Sequence, residues 1–540
     1  MRRPLRLRRY LVPFSSYNIP QVFCDVLVMG SGMAGLTSVL NLPPEFTVSV
    51  ISKGELRSGS TNDAQGGVAA ALDETDSPEQ HAEDTLRAGC GLCNEETVRV
   101  VTEEGPQRIR DMMQLGVEFD RRGDEIALTR EGGHSTERIL HADGDATGRA
   151  IQDVLAERVS NRPRTRIFER TFALDLLTQD GACHGALVWR DGPGLMMIRA
   201  KQTILASGGC GRVFRETTNP AVVTGDGYAM AFRAGAVIQD MEFMQFHPTT
   251  LYVAGASRAL ISEAVRGEGA VLVNREGERF MPDYHPDAEL APRDVVSQSI
   301  VEEMKRTGHT NVYLDARNLT SKAFEKRFPT IFGLLRSFEL DPSQDLIPVR
   351  PAAHYMIGGL QTDLQGRTNI ENLLACGEVA CTGLHGANRL GSNSLLEAAV
   401  FGKRCAEAAR ESVQTMTEPL SVHALQGLPQ EPAHGHLNLG DVSNSLKSLM
   451  WRNTGVVRDG DGLDEAVEMI TFWCRYVMDK EFDDPQGWEL QNMLTVARLV
   501  VMSARQREES RGVHFRRDFS ETSPDWQRHI VIANTGEDWL

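Results

Sequence analysis

One short segment restricts the fold of this chain more than any other. The apolar run Asp25-Val-Leu-Val-Met29 leads into Gly30-Ser31-Gly32-Met33-Ala34-Gly35, and an apolar stretch with helical spacing follows. A second apolar run, 47–51, completes a strand–turn–helix–strand unit. In such a turn the first glycine makes the tight bend and the second lets the backbone approach a pyrophosphate. The third lets helix pack on strand, and the helix N-terminus faces the phosphates. The unit therefore predicts a dinucleotide site. A nicotinamide dinucleotide would want an acid at the end of the second strand to meet its ribose, but Ser52-Lys53-Gly54 stands there.

A second segment lies more than three hundred residues downstream. From His354 to Glu397 it carries a histidine, a Gly-Gly pair, a short strand at 373–378 ending in Glu378, Arg389, and a Ser-Asn-Ser helix start. Glu378 is placed to serve the ribose of a flavin dinucleotide, the alternative being a solvated strand-end acid. Together the two segments suggest one flavin held by distant parts of the chain, with a dicarboxylate clamp beside it. The polar loop Ser60-Thr61-Asn62-Asp63-Ala64-Gln65-Gly66-Gly67 suits hydrogen bonding to a flavin ring edge, although the pattern alone also fits an ordinary loop.

The remaining pattern is α/β. Ser77-Pro78-Glu79-Gln80 opens a helix with Ser as N-cap and Pro in the first turn. Residues 166–190 read as alternating strands, and 202–206 as a strand running into Ser207-Gly208-Gly209. Residues 241–355 are rich in Pro, His, Arg and acids, with a helix at 293–305, and read as an inserted capping domain. A linker is expected over 408–436, then a small helical bundle with helices at 446–451, 463–478 and 488–509. The expected architecture is a Rossmann-like FAD-binding domain from residues 21–240 and 356–425, an α+β capping domain at 241–355, and a C-terminal helical domain at 426–540. The first twenty residues hold five arginines and no acid. They resemble an organelle transit peptide; the alternative, favoured by their shortness and the lack of a long apolar core, is a disordered basic extension in a bacterial protein or an over-extended start, with a cytoplasmic location expected. On either reading they are left out of the fold.

Composition narrows the function. A formal charge of −17 argues against a nucleic-acid binder, which needs a basic face, and no apolar run approaches a membrane span. The nine cysteines are scattered, which fits a reducing compartment better than a disulfide framework. Cys90-Gly-Leu-Cys93 is a lone CxxC without a second pair, so structural thiols are preferred to a metal or redox role, and no metal is expected. Within an acidic chain, His247, Ser262, Arg266, Arg293, His354 and Arg389 stand out as a set. Each alone is more often structural, but two histidines with several arginines suit a small dianion, because the guanidinium fork matches a carboxylate.

These motifs are joined by LTREGGHSTERILHADGDATGR, EFMQFHPTTLY, RGEGA, GERFMPD, ELAPRDVV, LHGANRLGSNSLLEA and ESRGVHFRRDF. In this order the chain resembles the succinate dehydrogenase and fumarate reductase flavoprotein superfamily, and within it the L-aspartate oxidase family, from about residue 24 to 519. The resemblance implies FAD bound through Ser31 to Ala34, Lys53, Ser60 to Gly67, Asp226, Glu378, Ser394 and Leu395. It implies substrate carboxylates held by His247, Ser262, His354 and Arg389, with Arg293 as the proton-transfer residue. Two positions divide the superfamily. Members with covalent FAD carry a histidine where Ser60 stands here, so the FAD is expected to be non-covalent. Glu131, in LTREGGHS, matches the acid that meets the substrate ammonium in aspartate oxidases, with Arg266 in orientation; its alternative is a salt bridge to Arg130 or Arg138. Ser262 replaces the commoner Thr, keeping the hydroxyl, and Asn62-Asp63 replaces an aromatic pair, which puts flavin affinity in question. The implied activity is oxidation of L-aspartate to iminoaspartate at the head of de novo NAD biosynthesis. Oxygen or fumarate would reoxidise the flavin, and quinolinate synthase would take the product from a monomer or homodimer. The runner-up is a soluble fumarate reductase or succinate dehydrogenase flavoprotein, opposed by Ser60 and Glu131.

Overall fold

A computed structural model describes residues 7–254, 258–416, 425–427 and 437–534. The central sheet runs in the order Thr171–Gln179, Ala182–Arg190, Gly194–Leu205, Gln21–Met29, Val48–Ile51, Thr165–Phe168. The last four strands are parallel and the first pairings antiparallel. The distant strand Leu373–Ala375 also pairs in parallel with Gly194–Leu205. The two halves of the dinucleotide site are thus brought together by one long strand. On one face lie the helices Met33–Asn41, Thr147–Ser160 and Asn393–Thr415, which share an apolar core with Val26, Val28, Val48 and Val50.

Residues between 244 and 356 form a second, antiparallel sheet in the order Met244–Leu251, Ile347–Met356, Val312–Asp315, Val271–Val273. Its apolar side and the helix Arg293–Thr307 build a separate core around Leu251, Val296, Ile300, Phe324 and Val349. This sheet carries both clamp histidines, on the paired strands Met244–Leu251 and Ile347–Met356.

Several expectations need correction. Residues 7–20 belong to the fold: Leu11, Val12 and Phe14 are buried with Trp488, and Phe14–Ser15 pairs with Gln426–Gly427. Polar anchors hold the segment as well. Arg9 donates to Leu176 O and Thr178 Oγ1, both at 2.6 Å, and Leu11 N to Asp175 Oδ2 at 2.8 Å. A four-residue apolar run is too short to register as an element, so its burial was not legible. The expected linker begins late, because the helix Asn393–Thr415 runs well into it; residues 417–424 and 428–436 lie outside the described residues, as do 1–6. The expected C-terminal helical domain is present, as the helices Leu439–Asn453, Gly460–Val477 and Pro485–Gln506. Their core is continuous with that of the central sheet, and Val531–Ile532 pairs with Ile238–Gln239. The strand expected at 373–378 stops at Ala375. Gly377, at φ +70°, turns the chain into the short helix Gly377–Val379 that places Glu378.

Candidate active site

A large cavity, about 830 Å³, runs from the Gly30 turn to His247 and His354. At its dinucleotide end the glycines act as the turn requires. Gly30 has φ +121°, and a Cβ there would stand 2.0 Å from Ala206 O. Gly35 does not line the cavity: a Cβ on it would strike Gly30 O at 2.2 Å, so this glycine serves helix–strand packing rather than ligand contact. Gly30, Ser31, Gly32, Met33 and Ala34, the Ser60–Gly67 loop, Glu378, Ser394 and Leu395 all line the cavity. Ser60 Oγ, Gln65 Oε1 and Ser207 Oγ are buried in that lining without a protein partner. Buried polar atoms of this kind need a ligand or water, and their spread along the cavity fits a long ligand rich in heteroatoms, as FAD is.

Lys53 and Asp226 also line the cavity but are already engaged. Lys53 Nζ meets Asp226 Oδ2 at 2.7 Å and Glu489 Oε1 at 2.6 Å, and Asp226 Oδ1 accepts from Asn492 at 2.7 Å. The pair therefore ties the cavity wall to the C-terminal helix. Glu378 is half-buried; Met356 N donates to its Oε1 at 2.9 Å, and desolvation pushes its carboxyl up to about 7.

At the other end the clamp residues converge. The rings of His247 and His354 lie 5.3 Å apart, edge to face. His247 Nδ1 accepts from Thr249 N at 3.3 Å, which leaves its proton on Nε2, and His354 Nδ1 pairs with Thr218 Oγ1 at 2.9 Å. Burial first, then the neighbouring arginines, holds both imidazoles well below their ordinary value, so both are neutral N–H donors at neutral pH. Arg389 Nε donates to Gln245 Oε1 at 3.1 Å and Nη1 to Ser394 Oγ at 2.7 Å. Ser262 caps the helix Glu263–Gly267 through Ala264 N and lines the cavity. Arg293 Nε donates to Glu263 Oε2 at 2.6 Å, while its Nη1 is buried without a partner.

Glu131 stands on the same wall. It is 5% exposed and accepts from Ser392 Oγ at 2.8 Å. A Cβ built on Gly391 would lie 3.0 Å from Glu131 Oε2 and 3.1 Å from Arg293 Nη2, so acid and guanidinium flank one point. Neither alternative partner pairs with Glu131 among the described residues: Arg130 is exposed, and Arg138 is committed to Asp76 at 2.8 Å and Asp84 at 2.5 Å. Desolvation and the nearby Glu263 hold the Glu131 carboxyl above its usual range. Arg266 does not line the cavity. It lies buried behind Glu263, with Nη2 3.8 Å from Glu263 Oε2 and Nη1 donating to Glu289 O. Its Nε and Nη2 are buried without a hydrogen-bond partner.

Glu263, Gln245, Ser392, Thr218 and His134 were not singled out from sequence. His134 Nε2 donates to Gly391 O at 3.0 Å while its Nδ1 accepts from Arg138 at 3.2 Å, so a buried ion cluster braces the turn that carries Ser392. Ser392 itself is left-handed, at φ 62°. Only Glu263 had a readable signal, an acid three residues before Arg266 on one short helix. Cys90 and Cys93 are free, with burial raising their thiols to about 11 and 12, which disfavours reactive thiolates. Among the described residues no group of His, Cys, Asp and Glu is arranged to hold a metal, and no helix is long and apolar enough to cross a membrane.

Residues 25–395 match the FAD binding domain family and residues 443–539 the fumarate reductase flavoprotein C-terminal family. An L-aspartate oxidase of Nostoc sp. is 41% identical, covering 98% of this chain and 97% of its own length. One of Streptomyces coelicolor is 44% identical, covering 95% of this chain and 91% of its own. The chain belongs to the L-aspartate oxidase family. Among solved structures, a chain of E. coli quinol fumarate reductase superposes with TM-score 0.88 at 32% identity, over 95% of this chain and 94% of that one. The L-aspartate oxidase family thus shares its flavoprotein fold with fumarate reductases, and FAD is its cofactor.

Proposed function

We propose that the protein oxidises L-aspartate to iminoaspartate, the first step of de novo NAD biosynthesis. The observation that carries this reading is Glu131, a buried carboxylate on the wall of a cavity otherwise built to hold carboxylates. An acid facing a plain dicarboxylate would be unfavourable; facing an α-ammonium it completes the charge balance.

FAD, when bound, supplies the two-electron acceptor. The residues do the rest. Arg389, His247, Ser262 and His354 take the two carboxylates, the neutral imidazoles as N–H donors and the guanidinium as a fork. Ser392 fixes one oxygen of Glu131, and its other oxygen, near Gly66, takes the substrate ammonium and orients Cα. The N-terminal amides of the helix Asn393–Thr415, at Ser394 and Leu395, line the cavity and would favour negative charge on a bound flavin ring. With fumarate as acceptor, Arg293 delivers a proton to carbon, and Glu263, bonded to it, is the carboxylate that exchanges the proton back. Oxygen is the alternative acceptor, giving peroxide. Iminoaspartate hydrolyses in water, so the product passes to quinolinate synthase.

The test is the product. Consumption of L-aspartate with equal formation of ammonia and oxaloacetate, the hydrolysis products of iminoaspartate, is expected. Consumption without both contradicts the proposal.

A further inference from the structure

Arg389 is a buried cation with neutral partners. Its Nε and Nη1 bond an amide and a hydroxyl, and among the described residues no carboxylate forms an ion pair with it. A guanidinium so placed is costly unless something offsets its charge. The face of Tyr355 lies against it, the ring centroid 4.5 Å from Cζ, a contact that strengthens when desolvated. Burial, then Arg293, lowers Arg389 to about 10, so it remains charged at neutral pH.

Tyr355 is held from behind. Its hydroxyl donates to Glu397 Oε2 at 3.0 Å. Glu397 also accepts from Thr382 Oγ1 at 2.6 Å and meets His385 Nε2 at 3.1 Å, while the His385 ring stands edge-on to Tyr355 at 5.3 Å. A phenol that donates to a carboxylate has a more electron-rich ring. The charge of Glu397 therefore reaches Arg389 through the ring, without a direct ion pair that would compete with an incoming carboxylate.

We propose that Tyr355 is a positioning residue for the substrate clamp: its ring face, polarised by Glu397, orients and partly neutralises Arg389 while leaving it free to take a substrate carboxylate. The proposal rests on the reading of Arg389 as part of that clamp.

The experiment first removes the hydroxyl and then withdraws electrons from the ring at nearly constant shape. In the full-length, FAD-loaded protein, Tyr355 is replaced by phenylalanine and by phenylalanines bearing one, two and three fluorines. Succinate Kd is read from the flavin spectrum, alongside FAD content and Tm. Kd is expected to rise stepwise, by about tenfold across the series, with FAD content and Tm unchanged. Glu397→Gln is expected to raise Kd about threefold with Tyr355 present and to have no effect in the Tyr355→Phe background. A flat fluorination series overturns the proposal. Arg389→Leu separates the two readings: retained succinate binding removes the clamp itself, whereas lost binding together with a flat series removes only the role of Tyr355.

Discussion

Glu131→Gln isolates the group proposed to select the substrate. The glutamine keeps the shape and can still accept from Ser392 Oγ, which lies 2.8 Å from Oε2. What it loses is the negative charge that meets the ammonium. Removing one partner of a buried ion pair costs about 3–5 kcal/mol. Because the amide dipole persists, the lower end applies: about 3 kcal/mol, or roughly a hundredfold in kcat/KM for L-aspartate. Fumarate carries no ammonium, so reduction of fumarate by the same variant is expected to stay within about threefold of wild type. The two activities are measured on one preparation, L-aspartate oxidation with oxygen as acceptor and fumarate reduction with an artificial donor. The pH dependence follows in sign. Burial raises the Glu131 carboxyl, so acidification protonates it and kcat/KM for L-aspartate falls on the acid side, while the variant lacks that limb. Equal loss of both activities in Glu131→Gln would refute the reasoning, because it would make Glu131 structural.

Further outcomes follow from other parts of the site. Arg293→Leu is expected to lose fumarate reduction by roughly 10³-fold with FAD still bound, as measured by turnover and flavin content; retained reduction would reject its proton role. Gly30→Ala places a Cβ 2.0 Å from Ala206 O at φ +121°, so bound FAD and at least about 2 kcal/mol of stability should be lost in flavin assay and melting. With Ser60 in the lining and no histidine there, acid precipitation should release all flavin to the supernatant; colour in the pellet contradicts non-covalent binding. Stability should fall with acid. Burial lowers His81 to about 3 and His134 and His141 to about 4, so the unfolded chain binds more protons between there and about pH 6.5, and that stability is lost as pH falls through the window. Glu242 and Glu378, raised to about 7, oppose this only above their unfolded values near pH 4.5. Tm should therefore drop most steeply below about pH 4.5, where the histidine contribution is unopposed and the ion-paired carboxylates held below their usual range, Asp84, Glu263 and Glu289 among them, also begin to lose their stabilisation. A flat Tm there refutes it.

The parts of the fold that follow local rules were legible. The Gly30 turn, the Ser77-capped helix and the helix beginning at Arg293 each carry a cap, a glycine or a period that acts within a few residues. What was not legible depends on contacts made across the chain. The burial of Leu11 and Phe14 exists only because Trp488 and Leu425 lie opposite. Arg266 read as a substrate residue, but its side chain is turned behind Glu263, a difference of depth that sequence does not encode. Ser392, Gln245 and Tyr355 have unremarkable neighbours in sequence; their roles come from meeting Glu131 and Arg389 across strand pairings and turns. Lys53 and Asp226 reached the cavity as expected, but as partners of each other.

On the proposed function, Glu131 turns a dicarboxylate site into one for an α-amino dicarboxylate. The most direct test is anaerobic mixing of the FAD-loaded protein with L-aspartate, D-aspartate or succinate while following the flavin absorbance. Bleaching by L-aspartate, none by D-aspartate, and little or none by succinate are expected. Bleaching by succinate with none by L-aspartate would contradict the proposed function.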